Sequence, residues 1–263
     1  MKPIVKFQGG KTRELKHILP MLPKGERLVE AFVGGGAVSF AVGGNVWIND
    51  TNPHLINLYR QVAGNRFDEL LSLVEGAKQM EHDELEQEFY KARDIINNGH
   101  PDAVVWAFSY ILVRQLCFSG MERHNKQGAF NVPFGHYQRF ACRLSQEHHT
   151  HLSQALITHG TALDVIKNVS DGDVLFLDPP YLDRAGYFNG DGGTLHIDLH
   201  EALMETQVPF LLIHSENEFY RDAYGDFIVS VEDFTYGQKW RGDYDGAKTK
   251  HLYISNQELM ANV

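Results

Sequence analysis

Val174-Leu175-Phe176-Leu177-Asp178-Pro179-Pro180-Tyr181 is the stretch that decides the fold. Its first four residues are apolar without interruption. A short run of this kind suits a strand buried on both faces, and such strands belong to parallel sheets covered by helices. The two prolines cannot extend the strand, because proline donates no ladder hydrogen bond. They turn the chain out of the sheet in a stiff conformation and leave the Pro179 carbonyl to accept a bond from elsewhere. Asp178 offers a second acceptor, and Tyr181 offers a flat aromatic face.

Outward from this strand the pattern alternates strand with helix, as a mostly parallel sheet requires. Further strands are expected at Arg27–Phe32, Val46–Asn49, Ala155–His159, Pro209–His214, Phe227–Phe234 and His251–Ser255. Helices are expected at Thr12–Leu19, Pro53–Val62, Asp198–Gln207 and Glu218–Ala223. The middle of the chain breaks the alternation. It reads as helical at Phe67–Gln79, Asp83–Asn97, Asp102–Phe118 and Phe140–His151, around a polar loop at Ser119–Arg139. The expected architecture is α/β. A Rossmann-like core is assembled from residues 1–66 and 152–263, with a helical insertion at 67–151.

The tetrapeptide suggests a chemistry. An exocyclic amine on a nucleobase is planar, its lone pair is conjugated into the ring, and it is a poor nucleophile. Two acceptors aimed at its N–H groups favour a tetrahedral nitrogen and direct the lone pair at an incoming methyl group. An aromatic ring stacks on the base and holds it edge-on to those acceptors. The competing reading of Asp178–Tyr181 is an ordinary loop start. A carboxylate buried at a strand end needs partners, which favours the chemical reading.

Other motifs fit a nucleoside cofactor. Glu30-Ala31-Phe32-Val33-Gly34-Gly35-Gly36 puts a glycine turn at a strand's carboxyl end, where a ligand can approach the backbone. Asn49-Asp50 ends the next strand and offers an acidic acceptor for ribose hydroxyls. Taken alone, the glycine turn is equally consistent with tight packing. Ala37-Val38-Ser39 follows it, so the GxGxxG of dinucleotide enzymes is absent, which tilts away from NAD. Lys6-Phe7-Gln8-Gly9-Gly10-Lys11 places two glycines between cations ahead of a helix and suits a carboxylate or phosphate. The stretch from Arg123 to Gly135 mixes cations, amides and aromatics. Its polar residues suit base edges and phosphates, and Phe130 and Phe134 suit core anchors.

Composition sets the limits. The chain has 263 residues, of which 43% are hydrophobic and 22% charged, as in a soluble globular protein. No stretch is apolar for long enough to span a bilayer, and no signal-peptide pattern opens the chain. Cys117 and Cys142 lack a CxxC partner and read as buried small hydrophobes in a reducing, cytoplasmic compartment. His148-His149-Thr150-His151 resembles a metal cluster, but neighbours on a helix point in different directions. A solvated helix face is expected there, and no metal is assigned. The net charge of −10 runs against the basic footprint of nucleic-acid binders, though a local basic surface is compatible with it.

In combination and in order, these motifs resemble the DNA adenine methylase family, the Dam-like N6-adenine methyltransferases. The resemblance runs from Lys6 to about Asn256. It is carried by Lys6–Lys11, Leu28–Gly36, Asn49-Asp50, Gly128–Gly135 and Asp178–Tyr181. It implies a Rossmann-like S-adenosylmethionine-dependent methyltransferase core with a helical target-recognition insertion, acting on double-stranded DNA. It implies that Phe7, Lys11, Asp50 and Asp178 contact S-adenosyl-L-methionine, with Phe32 and Gly34 lining the pocket. It implies that Asp178, Pro179, Pro180 and Tyr181 form the catalytic motif and receive a flipped adenine. It implies that Lys6, Arg123, Asn125, Gln127 and Pro133 lie near DNA. No protein partner is implied. The setting implied is the cytoplasm of a bacterial or virus-infected cell.

Two positions depart from the family's GATC readers, which tend to have arginine where this chain has Gln127 and His136. Arginine reads guanine bidentately and glutamine prefers adenine, so GATC specificity is unsupported and an altered or relaxed specificity stays open. Lys250 and His251 stand where relatives often carry an acidic pair. The alternatives are cytosine-N4 methylation, a catalytically silent DNA-binding relative and a nicotinamide oxidoreductase. Protection, restriction–modification and regulation all fit as biological roles.

Overall fold

The computed structural model describes residues 1–182, 192–235 and 248–257. Seven strands form among them: β1 (Arg27–Glu30), β2 (Val46–Asp50), β3 (Leu156–His159), β4 (Asp173–Leu177), β5 (Phe210–Ser215), β6 (Ile228–Thr235) and β7 (Lys248–Ser255). The helices are α1 (Leu15–Met21), α2 (Ala37–Val42), α3 (Pro53–Ala63), α4 (Phe67–Ala77), α5 (His82–Asn98), α6 (Ala103–Leu116), α7 (Gln146–Leu152), α8 (Ala162–Ile166), α9 (Gly192–Glu205) and α10 (Glu218–Tyr224). The fold is mixed α/β. Its contacts gather into two compact units, Met1–Leu19 with Val33–Thr161, and Pro20–Phe32 with Ala162–Val263.

In the second unit β1, β4 and β5 run parallel in that order, followed by antiparallel β7 and β6. Every residue of β4 and β5 is buried, as the uninterrupted apolar runs require. Leu177 pairs with Leu212, so β4 ends while β5 continues to Ser215. That register brings the tetrapeptide to the end of β5. At the other end, the Arg27 guanidinium donates two bonds to Asp173, at 2.7 and 2.8 Å. Burial alone would raise the Asp173 carboxyl. The bonds from Arg27 and Ser170 outweigh it and hold the carboxyl below its usual range.

In the first unit β2 and β3 pair in parallel. Asn49 links them, donating to the Gly160 carbonyl at 2.9 Å and accepting from Thr158 at 2.9 Å. Helix α6 packs against α3, α4 and α5 and is buried over most of its length, as a helix apolar on nearly all sides must be. Asp102 caps it, accepting from the amides of Val104 and Val105 at 2.8 and 3.3 Å. We expect Asp102→Ala to cost about 1 kcal/mol, read as a melting temperature about 2–4 °C lower by calorimetry. Unchanged melting would show that α6 is held by its packing alone.

Several boundaries differ from expectation, for local reasons. The strand expected at Arg27–Phe32 ends at Glu30 as the chain enters the glycine turn. Thr12–Leu19 divides into a 3₁₀ turn at Lys11–Arg13 and helix α1. The helix expected at Asp102–Phe118 stops at Leu116. Cys117 bridges Phe134 in extended conformation, and the Phe118 amide donates to the Pro133 carbonyl at 2.9 Å. Phe140–His151 is helical only from Gln146. Before it Phe140, Cys142 and Leu144 are buried while Ala141 and Arg143 are exposed, a period of two that marks extended chain. Helices α2 and α8 are short and were not anticipated.

The histidines of α7 are not the solvated face expected. His148 and His151 are buried, at 3% and 7% exposure, with their rings against Phe40. His148 satisfies both ring nitrogens, with Ser145 Oγ and the Lys2 carbonyl at 2.9 Å each. His149 bonds the Val62 carbonyl at 2.7 Å and stacks on Phe67. The apolar parts of the His148 and His149 rings fill core while one nitrogen of each takes a backbone carbonyl; His151 Nε2 is buried without a hydrogen-bond partner among the described residues. Cys117 and Cys142 are buried thiols without a disulfide, pushed up in pKa first by burial. No helix among the described residues is long and apolar enough to cross a membrane.

Candidate active site

In the first unit the glycine turn is folded around Phe7. Gly34 has φ +46°, and a Cβ there would lie 2.8 Å from the Phe7 ring, so both the backbone conformation and the close approach require glycine. The Gly34 amide donates to Asp50 Oδ2 at 2.9 Å, and its carbonyl accepts from the Tyr59 hydroxyl at 2.7 Å. The Asn52 amide holds Asp50 Oδ1 at 2.9 Å. The turn therefore fixes both oxygens of the carboxylate at the end of β2. Burial pushes the Asp50 carboxyl up, opposed by these amides, with Glu122 adding to the rise. Phe7 is half-buried, and Lys11 is buried with its ammonium donating to the Gly9 carbonyl at 3.2 Å.

Two neighbours of this cluster, Tyr110 and Arg114, gave no sequence signal, since α6 reads as plain core. Tyr110 is fully buried. Burial raises its phenol, and Arg114, Glu122 and Asp50 all act on it. Arg114 lies 5.7 Å from the centre of the Phe7 ring and pairs with Glu122. A nucleoside cofactor carrying a positive charge fits what is present. Asp50 and Glu122 supply negative charge, Asp50 has acceptor capacity for hydroxyls, Phe7 supplies a half-buried aromatic ring, and Gly34 lacks the Cβ that would move that ring.

The loop of the insertion is a hairpin in the same unit. His124 bridges Phe130, and Phe130 and Phe134 are buried, as their anchoring role requires. Asn125 Oδ1 accepts from the amides of Gln127 and Ala129 at 3.0 and 2.9 Å and so shapes the tip. Arg123 donates to Asn131 Oδ1 at 2.7 Å. Arg123, Asn125, Gln127 and Pro133 are all exposed. Lys6 donates to the Gln115 carbonyl at 2.7 Å and lies 4.0 Å over the Tyr137 ring, so its ammonium sits beside the base of this hairpin. Residues 119–139 carry Arg123, Lys126 and Arg139 against the single carboxylate Glu122, a local basic surface on an acidic chain.

In the second unit Phe32 is half-buried just after β1. Asp178 is half-buried beyond β4, and its charge reaches Tyr220 and raises that phenol after burial does. Tyr181 is buried between two imidazoles, His214 at 4.7 Å and His251 at 5.3 Å between ring centres. His251 in turn stacks on Phe234 at 4.6 Å, which gives the unusual Lys250-His251 pair a structural role in walling Tyr181. His196 hydrogen-bonds the Pro180 carbonyl, although burial lowers its pKa. The sequence reading missed His196, His214 and Tyr220. A polar residue closing an otherwise apolar strand was the available signal for His214. Among the described residues, no group of three or more His, Cys, Asp or Glu side chains is arranged to hold a metal ion.

Comparison with known proteins gives a consistent result. The chain is 31% identical to the type II methyltransferase M.CviBI of Paramecium bursaria Chlorella virus NC1A, over 97% of this chain and 100% of that one. It is 36% identical to the DNA N-6-adenine-methyltransferase of Escherichia phage P1, over 68% of this chain and 24% of that longer protein. It is 29% identical to the DNA adenine methylase of Escherichia coli strain K12, over 85% and 84% of the two chains. Residues 7–236 match the family described as D12 class N6 adenine-specific DNA methyltransferase. That match begins at the phenylalanine held by the glycine turn and runs through the tetrapeptide and β6, so the chain belongs to the D12 class of N6 adenine-specific DNA methyltransferases.

Proposed function

We propose that this enzyme methylates an adenine flipped out of double-stranded DNA, using Asp178, Pro179, Pro180 and Tyr181 as its catalytic motif. The observation that carries the assignment is a half-buried carboxylate followed by two prolines and a tyrosine walled by imidazoles, at the carboxyl end of a central parallel strand. When bound, S-adenosyl-L-methionine supplies an electrophilic methyl group on a cationic sulfur. Asp178 and the Pro179 carbonyl accept the two N–H bonds of the adenine amine and draw its lone pair out of conjugation. Tyr181 stacks on the base, and Asp178 takes the proton the nitrogen loses once the new C–N bond has formed. Asp50 accepts the cofactor's ribose hydroxyls. Phe7, Lys11 and Gly34 of the first unit are the proposed cofactor contacts beside Asp50, and Phe32 and Asp178 are those of the second unit.

Residues 67–151 serve as the target-recognition part, inserted into a catalytic part built from 1–66 and 152–263. Within it the exposed Arg123, Asn125, Gln127 and Pro133 face the DNA, joined by Lys6 from the catalytic part. Gln127 at the hairpin tip favours a base other than guanine at its position. The compartment proposed is the cytoplasm of a bacterial or virus-infected cell. Methylation sequencing of DNA from cells expressing the protein tests the reading and gives the recognition site. N6-methyladenine in a fixed context is expected, and its absence would reject the reading.

The cofactor assignment has its own test. Asp50→Ala removes a carboxylate that accepts charge-assisted bonds worth about 1.5–3 kcal/mol. It should weaken S-adenosyl-L-methionine binding about 10- to 100-fold by calorimetry. Because hydroxyl donors favour the charged form, binding to the unaltered protein should also strengthen as pH rises through the elevated Asp50 pKa. An unchanged affinity in Asp50→Ala would move the ribose elsewhere.

A further inference from the structure

The residues just after the tetrapeptide are held from both sides by two histidines that no role yet accounts for. His214 is the penultimate residue of β5, at 0% exposure. Its Nδ1 lies 2.7 Å from the Ser215 carbonyl and its Nε2 lies 3.2 Å from the Leu182 amide nitrogen. A carbonyl only accepts and a backbone amide only donates. Asn217 Nδ2 also lies 3.3 Å from Nδ1, but the Ser215 carbonyl is closer and the Leu182 amide needs an acceptor, so the proton sits on Nδ1 and Nε2 keeps a bare lone pair to receive the Leu182 N–H. The imidazole is neutral in this arrangement, because a proton on Nε2 would face the Leu182 N–H. The same ring lies against Tyr181 and is stacked flat on Tyr220, with centres 3.8 Å apart and planes 10° apart. Tyr220 bonds His196 Nδ1 through its hydroxyl at 2.6 Å, and His196 hydrogen-bonds the Pro180 carbonyl. Pro180 and Leu182, on either side of Tyr181, are thus each tied to an imidazole, and Tyr220 joins the two.

We propose that His214 is a positioning residue for methyl transfer: its Nε2 lone pair holds the Leu182 amide and its ring face holds Tyr181, so that the base-stacking tyrosine is set before the adenine arrives. The inference rests on the reading of Asp178–Tyr181 as the catalytic motif. A stacking ring must be placed to within a fraction of an ångström. A backbone anchor one residue beyond it removes the freedom of a chain that has left the sheet after two prolines. His196 and Tyr220 hold the other side, so His214 is the only side chain of the three that bonds the chain beyond Tyr181.

Two substitutions separate this role from packing. Glutamine can place an acceptor near the Nε2 position and keep the Leu182 bond. Asparagine reaches only as far as Nδ1, keeps the Ser215 bond and loses Leu182. His214→Asn should lower kcat about 10- to 100-fold, with the Kd for S-adenosyl-L-methionine and for duplex DNA within about twofold of the parent protein. His214→Gln should recover kcat to within about threefold. Equal kcat values for the two variants would overturn the proposal, as would a loss in His214→Asn carried by both Kd values with kcat unchanged. If His214→Asn does not fold, His214→Gln against His214→Met decides by the same criterion, because methionine keeps the volume without an acceptor of that strength. Asp178→Ala, assayed in parallel, keeps the two readings apart. An active Asp178→Ala rejects the catalytic motif itself. An inactive Asp178→Ala beside a fully active His214→Asn rejects only the role of His214.

Discussion

Asp178→Ala lowers kcat for adenine methylation by at least about 1,000-fold, the loss expected when a charged group aimed at developing charge is removed. The reasoning starts from the amine. Its lone pair belongs to the ring until something holds both N–H bonds out of the plane. The proposed acceptors are Asp178 and the Pro179 carbonyl, and only the first bears full charge. A carbonyl left alone aligns one N–H and gives no place for the released proton. Asp178 is half-buried at a strand end, where its charge is screened less than at an open surface. The fold does not depend on it, since β4 and β5 are closed by their buried faces and by the Arg27–Asp173 pair at the opposite end. The variant should therefore melt within a few degrees of the parent. The check is transfer of a labelled methyl group under saturating DNA and cofactor. Asp178→Asn keeps the shape and one acceptor oxygen and should fall between the two. A loss of less than about tenfold in Asp178→Ala would place the essential acceptor elsewhere.

The parts that were legible in the sequence are those whose physics is local. Four apolar residues ending in Asp-Pro-Pro specify a buried strand that must stop, and β4 stops there. Gly34 is required by a positive φ and a close ring, both signalled by a glycine turn after a strand. Phe130 and Phe134 read as anchors inside a polar loop and are buried. What stayed hidden depends on partners far away in the chain. His148 and His151 sit among polar residues and look solvated, yet both rings pack on Phe40 and His148 also finds the Lys2 carbonyl. Phe140–Leu144 alternates buried and exposed residues, but an adjoining helix masks the period. His214 acquires its role only because β4 and β5 share a register that brings Leu182 to it.

Arg114 belongs to the hidden class and carries the largest expected effect on stability. Arg114→Met should cost about 3–5 kcal/mol, enough to lower the melting temperature by about 10 °C in a chain of this size. The guanidinium is 1% exposed and bonds four acceptors: the Lys6 carbonyl at 3.1 Å, the Met121 and Gly120 carbonyls at 3.2 Å each, and the Glu122 carboxylate. Burial alone would lower its pKa, but Glu122 outweighs that and keeps it charged. Methionine fills the volume but takes the guanidinium from the Lys6 and Gly120 carbonyls, leaves the Met121 carbonyl only the Cys117 thiol at 3.5 Å, and strips the half-buried Glu122 carboxylate of its guanidinium partner. Acceptors orphaned in this way cost more than the bonds contribute net. Arg114→Lys retains the charge but cannot span four acceptors with a single ammonium, so it should recover only part of the loss. Adding Glu122→Gln to Arg114→Met should recover part as well, because it removes the orphaned charge. Calorimetric melting of the three proteins checks this, and parental melting in Arg114→Met would overturn it. The consequence extends to function. Lys6 and Phe7 open the proposed cofactor pocket and residues 120–122 open the recognition hairpin, and one buried guanidinium bonds both stretches of backbone. At a temperature where Arg114→Met is still folded, its affinities for cofactor and for DNA should therefore fall together, whereas Asp50→Ala should weaken only the first.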